Sequence, residues 1–457
     1  MAIEQGKMIL KNLTLKNYRA FEDLNIEFHD RLTVIVGVNG AGKTTILDAA
    51  AAALSAYIAG FDGLGLYKIS PDDARVKCIE LGDMVDAQPQ YPVEIDAAAI
   101  VYYPRTIDGM NTRIDRVFTD EPITWKRLRN SASSHARQNT KDIAPMQKVG
   151  TFYQACIRVG DGVEASIITA PVLAYYSTRR FWKNDDAKDM LKTNISRQDA
   201  YKECLDAHLS LSILKTWFER MTYKGLQSGK MSKTFLAVRK AIAKVFGDIS
   251  NSTEVDVGTN LDTKEIEIKF KDINGEWNCL TLNQLSDGYK GTICLIADIA
   301  YRMAVLNPQL EEKVLEKTGG IVLIDEVDQH LHPAWQQRIL GDLMNTFPQV
   351  QFIVSTHAPA VVNTVKSESI AILENGTVRT PDGEVYGKDV SSIVKGIMNG
   401  SERPDNVKKL FARFYSALSD KRYEDAQSAL DELDATIEDD PELAACHTKF
   451  ILKKRMG

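Results

Sequence analysis

No apolar run in this sequence reaches the roughly twenty residues that a helix needs to cross a bilayer, and no membrane partner is expected. The opening residues, MAIEQGKMILKN, lack a long apolar stretch and a small-residue cleavage site, and no signal peptide is expected. Cysteine is sparse. Six occur in 457 residues, at 78, 156, 204, 279, 294 and 446, and no two form a C-x-x-C pair. That spacing argues against a disulfide framework or a zinc site and for reduced thiols in a cytoplasmic protein. An excess of basic charge is also missing: 56 Lys and Arg stand against 62 Asp and Glu, a net charge of −6. Any nucleic-acid contact must therefore come from a local patch. There is no long internal repeat and no extended heptad run.

The length suggests two or three lobes. Strand-like alternation covers MILKNLTLKNYRAF and LNIEF, and LTVIVG is a short buried run before a Gly-rich turn and an Ala-rich helix. YPVEIDAAAIVYY and VLAYYS read as further strands. Residues 128–143 are polar and Ser-rich, the best candidate for a mobile loop. From about 186 to 250 the spacing is helical. EIEIKFKDINGEWNCLTL reads as a hairpin around Asn274-Gly275. A helix, GTICLIADIAYRMAVL, precedes the buried strand GGIVLIDE. QFIVSTH is the next buried strand, AILENGTVR an edge hairpin, and the chain beyond 388 is helical. Alternating strands and helices point to an α/β sheet, with the middle of the chain as an insertion folded over it.

Gly37-Val-Asn39-Gly40-Ala-Gly42-Lys43-Thr44 matches G-x-x-x-x-G-K-[ST] in full, after a β-branched strand and at the start of a helix. Glycines let backbone N–H groups converge on phosphate oxygens, and the helix N-terminus adds its positive end. Lys43 is expected to reach the β- and γ-phosphates of ATP, the Thr44 hydroxyl to ligate Mg²⁺, and Thr45 to hold the α-phosphate. The strand at 321–324 ends in Asp325 and Glu326. Taken alone, such an ending fits a solvated acidic turn equally well. Beside a phosphate loop it fits a metal-positioning Asp325 and a general base, Glu326, for the attacking water. A lone histidine at a strand end is more often structural. His357 nonetheless follows at the distance where a neighbouring parallel strand would deliver it to the γ-phosphate.

Leu285-Ser286-Asp287-Gly288-Tyr289 opens a helix. In isolation it reads as a simple N-cap by Ser286. The order of parts changes that reading. Phosphate loop, long insertion, Leu-Ser-x-Gly, Asp-Glu strand end and strand-His is the order of ABC-type ATPases. The chain resembles the RecF/SMC branch of that group, with LKNYRAFED, including Arg19 and Phe21, similar to that branch's opening motif. The segment from Glu326 to Pro333 resembles the overcoming-lysogenisation-defect ATPases. The resemblance implies an ABC-type P-loop ATPase head with a mixed β-sheet, an inserted mainly helical subdomain and a helical C-terminal segment. It also implies heads paired as a homodimer or higher homo-oligomer, with each ATP held between one phosphate loop and the partner's Ser286 and Gly288.

Three further stretches, PVLAYYSTR at 171–179, VYGKD at 385–389 and the tail MNGSERP with KRYEDAQSALDEL, resemble the ATPase subunits (PtuA family) of the Septu anti-phage system. That resemblance implies a separate HNH nuclease partner, PtuB-like. The expected organisation is an N-terminal head part with a β-rich insertion (1–185), a helical insertion (186–252), a C-terminal head part (253–387) and a helical segment for oligomer or nuclease contact (388–457). VKKLFARFYSAL suggests exposed aromatics on that last segment. No glutamine loop is legible; its place holds Ser177 and Thr178. Leu-Ser-Asp-Gly-Tyr departs from Leu-Ser-Gly-Gly-Gln. Both departures point to slow hydrolysis.

The seven histidines do not form an HNH motif, and no nuclease centre is read in this chain. His330 and His332 line the loop after Glu326 more readily than they form a metal site. Two basic stretches are candidate DNA contacts: 215–244, with Trp217 and Phe218, and 126–148, with Lys126, Arg127, Arg129, Arg137, Lys141 and Lys148. A solvated helix face explains them equally well. The leading reading is an ATP-gated sensor and scaffold for a nuclease. The alternative is a RecF-like DNA-repair ATPase with DNA-stimulated hydrolysis.

Overall fold

The computed structural model describes residues 7–81, 84–101, 121–133, 140–158, 168–178, 196–206, 211–398 and 403–456. It divides into two units, Met1–Asp389 and Val390–Gly457. The strands of the first unit are β1 (Met8–Tyr18), β2 (Phe21–Glu27), β3 (Leu32–Val36), β4 (Val76–Leu81), β5 (Met84–Pro89), β6 (Val93–Val101), β7 (Ile123–Arg129), β8 (Val172–Tyr176), β9 (Val255–Thr259), β10 (Ile266–Lys271), β11 (Trp277–Thr281), β12 (Gly320–Ile324), β13 (Val350–Thr356), β14 (Ile370–Glu374) and β15 (Thr377–Arg379). Its main helices are α1 (Lys43–Ile58), α2 (Thr140–Arg158), α3 (Leu211–Ser228), α4 (Lys233–Ser250) and α5 (Asp287–Leu306).

The central sheet has the order β15-β14-β3-β13-β12-β8. Every pairing in it is parallel except β14 with β15. Every residue of β3, β8, β12 and β13 is buried, which is why those stretches read as unbroken apolar runs rather than alternating ones. Parallel pairing brings the carboxyl ends of these four strands to one edge, where a ligand crevice forms in open α/β sheets.

The opening strands form a second, antiparallel sheet, β2-β1-β6-β7. β6 and β7, read from the sequence as part of an insertion, are integral to it. Alternation in β6 is complete, with buried and half-buried residues in strict turn. Gln351 ties the two sheets together. It lies in β13, accepts from Leu10 N at 2.8 Å and donates to the Leu10 and His29 carbonyls at 2.9 Å. It meets β1 at an irregularity in the β1–β6 register between Leu10 and Asn12, where the ladder leaves backbone groups to satisfy.

Helix α1 touches β12 and β13 of the central sheet, β6 and β7 of the second, and α2. Contact on several sides explains its run of alanines, Ala49 to Ala53, all fully buried. α3 and α4 carry an aromatic cluster of Trp217, Phe218 and Phe235 that reaches Tyr301 of α5. A three-stranded sheet, β11-β10-β9, leads from α4 back toward α5. The hairpin at Asn274-Gly275 is present, with Gly275 left-handed at φ 80.

The second unit contains helices Val390–Gly396, Asp405–Ser419, Tyr423–Asp434 and Pro441–Met456. The last three share a core that includes Phe411, Phe414, Leu430, Leu433, Cys446 and Phe450. Phe411 and Phe414, expected on the surface, are buried in that core, each worth ~1.5–3 kcal/mol of burial. Among the described residues no helix is long and apolar enough to cross a membrane. Expectations that fall on 134–139, 179–195, 207–210 and 399–402 lie outside the described residues. These include the middle of the Ser-rich loop, Arg137, Arg179, the boundary at 185–186 and part of MNGSERP.

Candidate functional site

The chain leaves β3 at Val36 and enters α1 at Lys43. Gly42 caps the helix with a left-handed φ of 106, and a Cβ there would stand 2.5 Å from the Phe21 ring. Conformation and space both demand glycine. The first turn of α1 carries no acid of its own. Lys43 is buried. Its Nζ donates to the carbonyls of Gly37 at 2.8 Å and Val38 at 3.1 Å, and lies 3.5 Å from His357 Nδ1. Burial pushes the Lys43 amine below its ordinary range, against the pull of Asp325, Glu326 and Asp328. Burial first, and then the Lys43 charge, push His357 below 6.5, which favours the neutral imidazole at pH 7.

Asp325 follows β12 and is 1% exposed. Thr44 Oγ1 donates to Asp325 Oδ2 at 2.8 Å, joining the phosphate loop to the acidic strand end across 281 positions of sequence. Ser355 Oγ donates to Asp325 Oδ1 at 2.5 Å and accepts from Glu326 N at 2.8 Å. Glu326 has a left-handed backbone, φ 46. Thr356 donates to Asp328, and Ala358 N donates to Thr356 Oγ1 at 3.0 Å. The structure thus brings Lys43, Thr44, Asp325, Glu326 and His357 to one edge of the central sheet. Gly37, Asn39, Gly40, Gly42 and Thr45 line the same loop and helix start. Two hard oxygens facing each other at the helix mouth suit Mg²⁺, which takes few protein ligands and completes its shell with phosphate and water.

Ser286 is exposed and precedes α5, and its side chain makes no capping bond. Gly288 packs against the loop after Glu326: a Cβ would meet the His330 carbonyl at 2.6 Å and Trp335 at 3.4 Å. Tyr289 stacks edge-on against Trp335 at 4.5 Å. His332 caps the short helix at Pro333, accepting from Ala334 N at 3.3 Å.

The contacts of several supporting groups were not legible in the sequence. Arg19 bridges Asp48 of α1 at 2.5 Å and Asp73 at 2.8 Å. Tyr175 of β8 donates to the same Asp48 at 2.6 Å. The opening motif therefore braces α1 from outside, through Arg19 on Asp48 and Phe21 on Gly42. Ser355 had a signal within QFIVSTH, since a hydroxyl in an otherwise apolar buried strand needs a partner. At the place of the glutamine loop, Thr178 offers its carbonyl to Gln329 Nε2 at 3.3 Å.

The stretch at 126–148 needs correction. Arg127 is buried and donates to the Ala52 carbonyl and the Ser55 hydroxyl near the end of α1, and to the Tyr67 carbonyl. Burial lowers its pKa to about 10. Arg129 is buried on the carbonyls of Ile69 and Ser133. Lys126 pairs with Glu94 and Asp96. The alternation of β7 turns Arg127 and Arg129 inward, so these two do not belong to a surface patch. In 215–244, Trp217 and Phe218 are buried, and Lys215, Lys233 and Arg239 pair with Glu265, Glu311 and Asp256. Lys224, Lys230, Lys240 and Lys244 are exposed.

Two family descriptions match the chain: "AAA domain" over residues 12–224 and "AAA domain, putative AbiEii toxin, Type IV TA system" over residues 208–363. Among curated proteins, the chain is 26% identical to "Retron Vc95 probable ATPase" of Vibrio cholerae serotype O1 biovar El Tor, over 88% of this chain and 81% of that protein. It is 28% identical to "Retron Ec83 probable ATPase" of Escherichia coli, over 93% of this chain and 83% of that protein. It is 32% identical to "Septu protein PtuA" of Bacillus mycoides (strain KBAB4), over 41% of this chain and 25% of that protein.

Proposed function

We propose that this ABC-type ATPase, whose homologues include retron ATPases and Septu PtuA, binds ATP between paired heads and regulates an associated HNH nuclease in anti-phage defence. The observation that carries the reading is the Thr44–Asp325 contact, which closes a phosphate loop onto an acidic strand end. The relatives named for retrons align over nearly the whole chain, which favours a retron- or Septu-type role over a transporter subunit. The fold is taken to work as a RecF/SMC-like head.

In this reading the loop amides and Lys43 grip the β- and γ-phosphates, Lys43 exchanging its loop carbonyls for phosphate oxygens. Thr44 and Asp325 would hold Mg²⁺, which neutralises phosphate charge when bound. Glu326 takes the proton of the attacking water, and neutral His357 orients that water against the γ-phosphate. Ser286 would meet the partner head's nucleotide, its hydroxyl being uncommitted as a cap. The acid Asp287 in the first turn of α5 weakens that anion site and fits slow turnover. ATP can switch the assembly only through a difference in affinity between open and paired heads. The C-terminal unit is assigned to nuclease or oligomer contact, and the exposed lysines of 215–244 to DNA.

Sizing by light scattering tests this reading, with and without ATP and a co-expressed HNH nuclease. Glu326→Gln should bind ATP and accumulate as the paired form, and a chain ending at Asp389 should pair but lose the nuclease. A monomeric Glu326→Gln variant, insensitive to ATP, would refute head pairing.

A further inference from the structure

Ser355 is fully buried in β13 and makes three separate bonds to the turn that carries the catalytic acids. Its hydroxyl donates to Asp325 Oδ1 and accepts from Glu326 N, and its carbonyl accepts from Val327 N at 3.0 Å. An amide N–H can only donate, so the Ser355 oxygen must accept there. Its single proton is then committed to the carboxylate. With Oδ1 occupied in this way, Asp325 turns Oδ2 toward Thr44.

The same bonds hold Glu326 in its left-handed backbone conformation, which costs energy for a non-glycine residue and persists only where neighbours enforce it. β12 and β13 are paired in register up to Ile324 and Val354. Ser355, the next residue along β13, stands beside the point where Asp325 leaves the sheet. A shorter, apolar side chain there would leave the buried Asp325 Oδ1 and the Glu326 amide without this partner.

We propose that Ser355 is a positioning residue that sets the metal-holding carboxylate of Asp325 and the backbone of the general base Glu326 together. This rests on the ATPase reading of the site. Hydroxyls and carboxylates that orient metal-holding side chains commonly change metal affinity ten- to a hundredfold when removed.

The test is fluorescence titration of the full chain with N-methylanthraniloyl-ATP, in EDTA and across a magnesium series. Wild type should bind in EDTA and bind more tightly as magnesium is added. Ser355→Ala should match wild type in EDTA while needing about ten- to a hundredfold more magnesium for the same tightening. Ser355→Thr, which keeps the hydroxyl, should recover most of it, and adding Ser355→Ala to Asp325→Asn should shift the magnesium midpoint no further. A thermal melt of each variant separates this from unfolding; if Ser355→Ala melts early, Ser355→Cys carries the comparison. Wild-type magnesium dependence in a folded Ser355→Ala or Ser355→Cys variant overturns the proposal. If wild type itself binds no nucleotide, the ATPase reading falls first.

Discussion

Gly288, at the start of α5, lies so close to the His330 carbonyl that a Cβ would come within 2.6 Å of the oxygen. That oxygen belongs to backbone and cannot rotate aside. The helix carrying Ser286 and the loop following Glu326 are therefore packed as one piece within a single chain. Gly288→Ala should force them apart. We expect a loss of ~1–3 kcal/mol in urea unfolding and slowed phosphate release, with nucleotide affinity of the isolated head close to wild type.

Lys43 is desolvated where it lies, and the fold disfavours its charged form. Removing the charge should relieve that cost. Lys43→Met should raise the melting temperature of the nucleotide-free protein while abolishing ATP binding, a stability–function trade-off seen at many sites. Calorimetry with and without ATP checks both halves. A nucleotide-free melt lower than wild type would count against it.

The His357 imidazole has a folded pKa below 6.5, so between the two values the folded state holds fewer protons than the unfolded chain. Its contribution to stability is fully present above about 6.5 and is lost as pH falls through the lower folded value. Protonation would also set a cation beside Lys43. His357→Gln should flatten the stability profile in that acid window and leave the profile above pH 7 unchanged, as measured by chemical denaturation at stepped pH.

Asp298 and Arg302 form an ion pair at 2.7 Å on α5, with 4% and 6% of their side chains exposed. Tyr176, at the end of β8, donates to the same Asp298 oxygen at 2.7 Å. Among the described residues, Asp298→Ala leaves the buried guanidinium with the Ala200 and Lys202 carbonyls as its hydrogen-bond partners. The expected cost is ~3–5 kcal/mol, read as a fall in the urea midpoint. Replacing both charges with apolar residues should recover most of it, because the desolvation cost disappears with the pair.

Those features of the site that depend on a few consecutive residues were legible in the chain. A β-branched strand, a glycine turn and Lys-Thr at a helix start set the shape of the loop between β3 and α1 through local torsions alone. Unbroken apolar runs gave the buried parallel strands of the central sheet for a similar reason. Even there, β6 and β7 read as an insertion, since nothing local says which strand pairs with β1.

By itself, then, the sequence determined the loop at Gly37–Thr45, the strand ends at Asp325 and His357, and the helical character of the tail. Only tertiary structure decided that Thr44 meets Asp325 across 281 positions and that Ser355 holds both acids. It alone turned Arg127 inward and put Phe414 in a separate core. Motifs are set by torsions over a handful of residues. Which neighbours a side chain meets is set by sheet order and register, and those emerge only when distant segments bury their apolar faces together.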